Sequence, residues 1–234
     1  MNFFFETAVN ALEAFLILEF LAQYFGLRIQ APMRYIGFCI FWIVSTTAIT
    51  LFSWNESFEI LSSLSQILIN IIFCMILLKG NIGTKIFIST FTMVGIVLIS
   101  SFTAFFVGHV TQEEINKIYT RFDLVRITAI FMSKVLFFQI TRIILLIKTD
   151  SNFLKLDIIP LVVIPIISIC SVSILTDIAL WYPDSQQMIF YVICLIILLS
   201  LLTYYLFIRL SRSSQLKHDY ELLNLQYDCA KQNA

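Results

Sequence analysis

The sequence predicts an all-α membrane protein: a polytopic bundle of about seven transmembrane helices, followed by the start of a cytoplasmic coiled-coil helix. Of its 234 residues, 59% are hydrophobic and only 13% are charged, and the mean hydropathy is +0.91. Soluble domains are about 45–50% apolar and about 25% charged. A soluble core has no room for this much Phe, Ile and Leu, so the lipid bilayer must surround most of the chain.

Apolar windows long enough to span a membrane recur along the chain. A spanning helix needs about 20 mainly apolar residues. The first window has no Lys or Arg before it, so it is not expected to be a cleaved signal peptide. A count of six helices stays open, because one of the first three windows can be miscounted. The seven windows are 3–25, 35–53, 58–79, 86–110, 126–147, 157–178 and 188–209.

The charges between these windows predict the orientation of the chain. Basic residues gather in every second connection, whereas the other connections are acidic or mixed. The positive-inside rule then places the N-terminus outside and the C-terminus inside, which requires an odd number of helices. The basic residues are Arg28, Arg34, Lys79, Lys85, Lys148, Lys155, Arg209, Arg212 and Lys217.

The connections assigned to the outside carry acidic and aromatic side chains. In the longest, 111–126, Ile115, Ile118, Tyr119 and Phe122 follow a helical spacing that predicts a short interfacial helix. The acidity of this face favours a basic or neutral ligand. The candidate ligand-binding residues are Trp54, Glu56, Glu59, Glu113, Glu114, Trp181, Tyr182 and Asp184.

The first and fifth windows carry ionisable residues of opposite sign at membrane depth. Such groups are costly in lipid and usually face a partner or a watery cavity. At about 1.5 Å per residue, Glu13 lies level with Lys134, and Glu19 lies level with Arg142. We therefore expect these two pairs to join the helices, either as structural contacts or as part of a ligand or signalling site.

A polar face also runs along the third window. Ser62, Gln66 and Asn70 recur at every fourth residue, which places them on one side of a helix. In lipid, amide side chains of this kind hydrogen-bond across helices. Hydrogen bonds between helices are favoured here over a ligand-lining role.

The polar tail at 211–234 differs in kind from the transmembrane domain predicted at 1–210. Its apolar residues follow the spacing of an a/d seam, which predicts a coiled coil between two copies of the chain. About two heptads are marginal on their own, so the tail is interpreted as the beginning of a longer dimerisation helix. The seam residues are Leu216, Tyr220, Leu223 and Tyr227.

The chain contains no complete catalytic motif. HExxH, GxSxG and a glycine-rich phosphate loop are all missing from the sequence. The cysteines are not at metal-ligand spacing, so neither a metal nor a cofactor is expected. The formal net charge of zero gives no indication of nucleic-acid binding. We expect this chain not to be an enzyme.

Two stretches at the ends of the chain, FFFETAVNALEAFLILEFLAQYFGLR and LKHDYELLNLQYDCAKQN, resemble a known family. They are similar to the membrane sensor region of AgrC-like receptor histidine kinases with a GHKL-type ATPase domain. The resemblance implies a multi-pass protein of the bacterial plasma membrane that belongs to a two-component, quorum-sensing system. Such a sensor detects an extracellular peptide and passes the signal through its last transmembrane helix to a kinase domain beyond this chain.

The tail departs from the family's phosphoacceptor box. Lys217, His218 and Asp219 match the core of that box, but Leu222 and Leu223 stand where an Asn is expected. The phosphoacceptor role is therefore not assigned to His218. Two other classes of function stay open: a small transporter or channel component with an intramembrane polar path, and a membrane assembly partner without a signalling role.

Overall fold

The computed structural model describes residues 3–28, 33–52, 59–120, 122–147, 158–182 and 185–232 as an all-helical chain. Within these ranges no strand forms, and the only extended pairing is one isolated antiparallel bridge between Leu27 and Leu78. The helices are α1 (Phe3–Phe25), α2 (Met33–Phe52), α3 (Glu59–Leu77), α4 (Ile82–Thr111), α5 (Ile115–Thr120), α6 (Leu124–Ile147), α7 (Ile158–Trp181) and α8 (Gln186–Gln232).

Five helices, namely α2, α4, α6, α7 and α8, contain a stretch that is long and apolar enough to cross a membrane. The protein is therefore a multi-pass membrane protein, as its composition predicts. The other two expected spans are helical as well. However, α1 carries Glu6, Glu13 and Glu19, and the apolar part of α3 is limited to Leu61–Leu77. Seven crossings remain a prediction.

The central helix of the bundle is α4. Within its apolar window 67% of the residues are buried inside the chain, compared with 6% for the window of α2. It packs against α3, α6, α7 and α8. Small buried residues such as Ser89, Ser101 and Ala104 let neighbouring helices approach closely, which is how helices associate where lipid supplies no hydrophobic force between them.

One end of the bundle, which we call the Gly80 end, is closed by main-chain hydrogen bonds between two connections. The Arg28 N–H donates to the Leu77 carbonyl at 2.8 Å, and the Lys79 N–H donates to the Gly26 carbonyl at 3.1 Å. These two bonds form a clasp that joins the α1–α2 connection to the α3–α4 turn. The clasp fixes the end of α1 relative to the end of α3 and the start of α4.

At the opposite end, which we call the Gln112 end, α4 stops and α5 begins after a short turn. The expected short helix in 111–126 is present as α5. Its predicted apolar face is only partly buried: Ile115 and Ile118 are buried, whereas Tyr119 and Phe122 are exposed.

The last helix differs most from the sequence expectation. The seventh window ends at residue 209, yet α8 continues without a break to Gln232 and has 47 residues. At 1.5 Å per residue this helix is about 70 Å long, more than twice the hydrocarbon thickness of a bilayer. Leu216 and Tyr220 are exposed in the single chain. The side chains of Leu223 and Tyr227 lie outside the described part, and the coiled coil stays a prediction.

Replacing Gly80 with alanine is expected to destabilise the α3–α4 turn. Gly80 has a φ of +108°, a conformation that residues with a Cβ adopt at a cost of about 1–2 kcal/mol. Gly95 in α4 is the matched control, because a Cβ there would meet the Phe137 ring at an ordinary 4.0 Å. Thermal unfolding in detergent should show a lower midpoint for Gly80→Ala and an unchanged or higher midpoint for Gly95→Ala. Equal midpoints would contradict this role of Gly80.

Candidate functional site

A polar pocket of about 510 Å³ lies at the Gln112 end, between the end of α4, the start of α5 and the first turns of α8. Its volume falls in the range of small-molecule binding sites. Phe105, Phe190 and Tyr191 form its apolar walls. Its polar lining residues are His109, Gln112, Glu113, Glu114, Gln186 and Gln187.

The turn after α4 places the two glutamates of the pocket. Gln112 has a left-handed φ of 55°, and the Glu113 N–H donates to the Gly108 carbonyl at 3.1 Å. This is the usual way in which a helix satisfies its last carbonyls and changes direction. A Cβ at Gly108 would lie 3.1 Å from the Ile118 side chain, so glycine permits α5 to fold back against α4.

The start of α8 is held against α4 by aromatic contacts. The Phe190 ring stacks on Phe102 with a centroid distance of 5.7 Å, and on His109 with a centroid distance of 6.4 Å. Just before this helix, the Ser185 N–H and hydroxyl both donate to the Tyr182 carbonyl, at 3.0 Å and 2.7 Å. The pocket therefore lies directly on the first turns of the 47-residue helix.

The polar groups of the pocket include one that is unsatisfied. The Nε2 atom of Gln186 is buried and has no hydrogen-bond partner in the described structure, and a buried donor of this kind costs about 1–3 kcal/mol. Glu113 is half-buried, whereas Glu114 forms an exposed ion pair with Lys117 at 3.7 Å. Such an exposed pair holds its carboxylate only weakly. The site therefore offers carboxylate acceptors, amides and aromatic faces together.

The sequence-predicted ligand residues divide into three groups. Glu113 and Glu114 line the pocket. Trp181 and Tyr182 are exposed at the same end but do not line it. The rest cannot be placed, since Trp54, Glu56 and Asp184 are outside the described residues, and Glu59 begins α3 with its side chain outside the description.

Sequence reasoning missed several pocket residues, among them His109, Gln186, Gln187 and Tyr191. His109 ends a long apolar window, and the two glutamines directly follow the aromatic connection at residues 181–184. The position of these polar residues beside the ends of apolar windows was the feature of the sequence that could have indicated the pocket. Their convergence depends on how α4 and α8 pack, which no local pattern specifies.

Three ion pairs connect α1 to α6. Lys134 pairs with Glu13, and Arg142 lies 3.5 Å from Glu19, so the structure brings together both pairs expected from matched depth. Gln23 joins the second pair, because its Nε2 donates to Glu19 at 2.7 Å and its Oε1 accepts from Arg142 at 2.9 Å.

The third pair, between Arg126 and Glu6 at 2.5 Å, was not expected. Glu6 lies near the end of its window, where a carboxylate can reach water, so no partner for it was predicted. Arg126 also donates to the Tyr119 carbonyl at 2.6 Å. It thereby ties the end of α5 to α1 and α6.

Burial differs along this row of pairs. The side chains of Lys134 and Glu13 are 8% and 20% exposed, whereas those of Arg142 and Glu19 are 47% and 30% exposed. Removing one partner of a buried pair leaves an uncompensated charge and costs about 3–5 kcal/mol. Exposed pairs contribute about 0–1 kcal/mol. The Glu13–Lys134 pair is therefore the one on which the α1–α6 contact most depends.

The polar face of α3 points into the bundle, as its spacing predicts. Gln66 donates to the Ser45 hydroxyl of α2, and Asn70 is fully buried. Both amide atoms of Asn70 and the Oε1 of Gln66 lack hydrogen-bond partners in the described structure. Nearby, the Asn10 amide donates to Thr50 at 3.2 Å. These side chains join α1, α2 and α3.

Comparison with models of known protein families, with curated proteins and with solved structures finds no match to this chain. The resemblance of its ends to AgrC-like sensor regions stays a prediction. Among the described residues, no group of three or more His, Cys, Asp or Glu side chains could hold a metal ion. Function is therefore inferred from the polar pocket, the ion pairs and α8.

Reversing one charge of the Glu13–Lys134 pair should destabilise the protein, and reversing both should restore most of the loss. Glu13→Lys or Lys134→Glu places two like charges in contact at a largely buried position, at a cost of at least about 3–5 kcal/mol. The measurement is the thermal unfolding midpoint in detergent or nanodiscs.

The exposed Glu19–Arg142 pair is the matched control for this experiment. The same reversals there should change stability by only about 1 kcal/mol. A double Glu13→Lys, Lys134→Glu variant as unstable as either single variant would show that the contact does not stabilise the α1–α6 packing.

Proposed function

We propose that this chain is the membrane sensor region of a receptor, which binds a ligand in the polar pocket and passes the signal along α8 to a cytoplasmic partner. The observation that carries the proposal is that the pocket is lined by the first turns of α8, and that this helix continues unbroken from Gln186 to Gln232. A ligand that contacts Gln186 or Tyr191 contacts the same rigid element that forms the tail.

The packing of α8 supports its role as the transmitting element. Its apolar part, Gln186–Leu206, packs against α4 and α7. Leu216 and Tyr220 lie beyond that part and are exposed. A ligand that binds two arrangements of α8 with different affinity shifts the balance between them, and a continuous helix carries that shift beyond the membrane.

The ligand class follows from the groups in the pocket. Glu113 and Glu114 favour cationic or hydrogen-donating groups, while Gln186 and Gln187 can pair with a peptide backbone. Phe190 and Tyr191 supply apolar contact. A small basic or neutral peptide fits this combination better than an anion does, which agrees with the peptide ligand that the AgrC-like resemblance implies.

The topology that we propose has seven crossings, with the Gln112 end outside and the tail in the cytoplasm. The pairing of Glu6, Glu13 and Glu19 with α6 supports a transmembrane α1, because it neutralises the charges that would exclude this helix from lipid. The basic residues between windows supply the orientation. In this topology the polar pocket faces the exterior of a bacterial plasma membrane.

The tail is proposed to pair with a second copy of the chain. Leu216 and Tyr220 are exposed at a spacing suited to an a/d seam, which a partner helix would cover. A kinase-type domain following such a dimer would receive the signal as a change in the relation between two α8 helices.

One observation favours transport as a second candidate function. A cavity of about 190 Å³ lies beside the ion pairs and is lined by Glu6, Arg126 and Lys134, with Ser133 and Thr103 nearby. A cavity with ionisable side chains at membrane depth is what a transporter or channel component requires. Both cations are already paired with α1 carboxylates, so the signalling proposal accounts for them without a transported ion.

Cysteine labelling tests the proposed topology. In a variant without the five natural cysteines, Asn2→Cys and Gln112→Cys should react with a membrane-impermeant maleimide added to intact cells. Gln30→Cys and Ser151→Cys should react only after the membrane is permeabilised. Labelling of positions 2 and 30 from the same side would exclude a transmembrane α1. Labelling of positions 30 and 112 from the same side would require an even number of crossings by α2, α3 and α4.

Crosslinking of the tail tests the transmission role of α8 without a known ligand. In the cysteine-free background, Leu216→Cys should form a disulfide between two copies. Phe190→Ala removes the stack on His109 and Phe102 and should change the rate of crosslinking at position 216 severalfold. Val192→Ala, on the exposed face of the same helix, is the matched control and should leave the rate unchanged. Equal rates in all three variants would reject transmission from the pocket to the tail.

A further inference from the structure

The Gly80 end of the bundle carries positive charges that lack carboxylate partners. Arg28, Arg34, Lys79 and Lys85 lie in the segments that meet there, and the sequence has no Asp or Glu from residue 20 to 55 or from residue 60 to 112. Within the part of the chain that the structure describes, none of the four forms an ion pair, whereas every cation of α6 is paired with a glutamate of α1. We call these four residues the basic cluster.

The clasp places two of these cations beside each other. Leu27 and Leu78 form its antiparallel bridge, and alternate residues of such a pairing point to opposite sides. Leu78 is fully buried and Leu27 packs against the core. Arg28 and Lys79 are exposed and therefore project from the other side. In this register they are diagonal neighbours across the pairing, which places their Cα atoms about 7–8 Å apart.

A third cation contacts the clasp from within the bundle. Lys85, near the start of α4, is 5% exposed, and its Nζ donates to the Leu78 carbonyl at 2.8 Å. It is close enough to Arg28 for the two charges to interact. Salt screens a buried charge much less than an exposed one. An anion at the clasp would therefore offset the charges of all three cations.

The surface next to the basic cluster is apolar. Ile36 and Ile40 of α2 and Ile76 of α3 are each more than half exposed. The two helices approach closely at this end, because a Cβ at Gly37 would lie 2.8 Å from the Leu77 side chain. Cations at the end of the helices, with apolar side chains beside them, match the phosphate and the acyl chains of a phospholipid.

A phospholipid fits this surface better than a soluble anion does. Charged residues at the ends of transmembrane helices lie at the level of the lipid headgroups. Each basic side chain there increases the affinity for an anionic headgroup about fivefold. A soluble phosphate or an acidic protein would contact the cations but would leave the neighbouring isoleucines without a partner.

We propose that the basic cluster binds the phosphate of an anionic phospholipid between the side chains of Arg28 and Lys79, with the acyl chains along α2 and α3. Lys85 and Arg34 add to the attraction. The bound lipid links the α1–α2 connection to the α3–α4 turn through side chains, in addition to the backbone bonds of the clasp. This binding requires neither the signalling function nor the orientation proposed above.

Native mass spectrometry of the full chain in detergent tests this site. The probes are dioleoyl phosphatidylglycerol, which is anionic, and dioleoyl phosphatidylcholine, which has the same acyl chains and no net charge. The chain should retain phosphatidylglycerol at concentrations at which phosphatidylcholine dissociates. In detergent the orientation of the chain has no effect on the measurement.

Charge-removing variants identify the residues that bind the lipid. Arg28→Gln and Lys79→Gln should each weaken phosphatidylglycerol binding about fivefold, and together about thirtyfold. Both variants keep the backbone N–H groups of the clasp, so the fold should not change. Exchanging the two residues, as Arg28→Lys with Lys79→Arg, keeps both charges and should keep the binding. Lys117→Gln is the matched control at the Gln112 end, where Lys117 is exposed and paired with Glu114, and it should bind as the unaltered chain does.

Equal binding of the two lipids would overturn the proposal, as would unchanged binding in the double glutamine variant or an equal loss in Lys117→Gln. Glycerol phosphate is the soluble competitor and should not displace phosphatidylglycerol at millimolar concentration, because it lacks acyl chains. Full displacement would show a site for soluble phosphates instead. Should the double variant fail to fold, the two single variants are compared, and unchanged binding in both overturns the proposal equally.

Discussion

The Glu13–Lys134 pair is the interaction on which the position of the first helix depends. A carboxylate with no partner is costly at membrane depth, and α1 carries Glu13 near the middle of its length. Lys134 lies against it and is largely buried, so separating the two side chains leaves a buried charge without its partner. The pairs on either side, with Glu6 and Glu19, fix the direction and register of α1 against α6.

With α1 fixed, α4 organises the remaining helices. It packs against α3, α6, α7 and α8, and its small buried residues allow these close contacts. The polar pocket forms where α4 ends, and the first turns of α8 line it as well. The central helix and the 47-residue helix thus meet at this pocket.

Some of this arrangement follows from sequence and some does not. The helices could be predicted because lipid requires long apolar stretches, and the contact between Glu13 and Lys134 could be predicted because the helical rise converts sequence position into depth. The pocket could not, because Gln186 and His109 meet only through packing of distant helices. The tail was predicted to be helical, but no local pattern predicted that it continues the last transmembrane helix without a break, as α8 does.

In the clasp at the Gly80 end, the backbone and the side chain of the same residue have different roles. Arg28 and Lys79 contribute to it through their backbone N–H groups, while their side-chain charges belong to the pattern from which the orientation of the chain is predicted. Any residue except proline supplies such an N–H. Substitutions can therefore add, remove or exchange charge at these two positions, and so change the charge difference between the two sides of the membrane, without breaking the hydrogen bonds of the clasp.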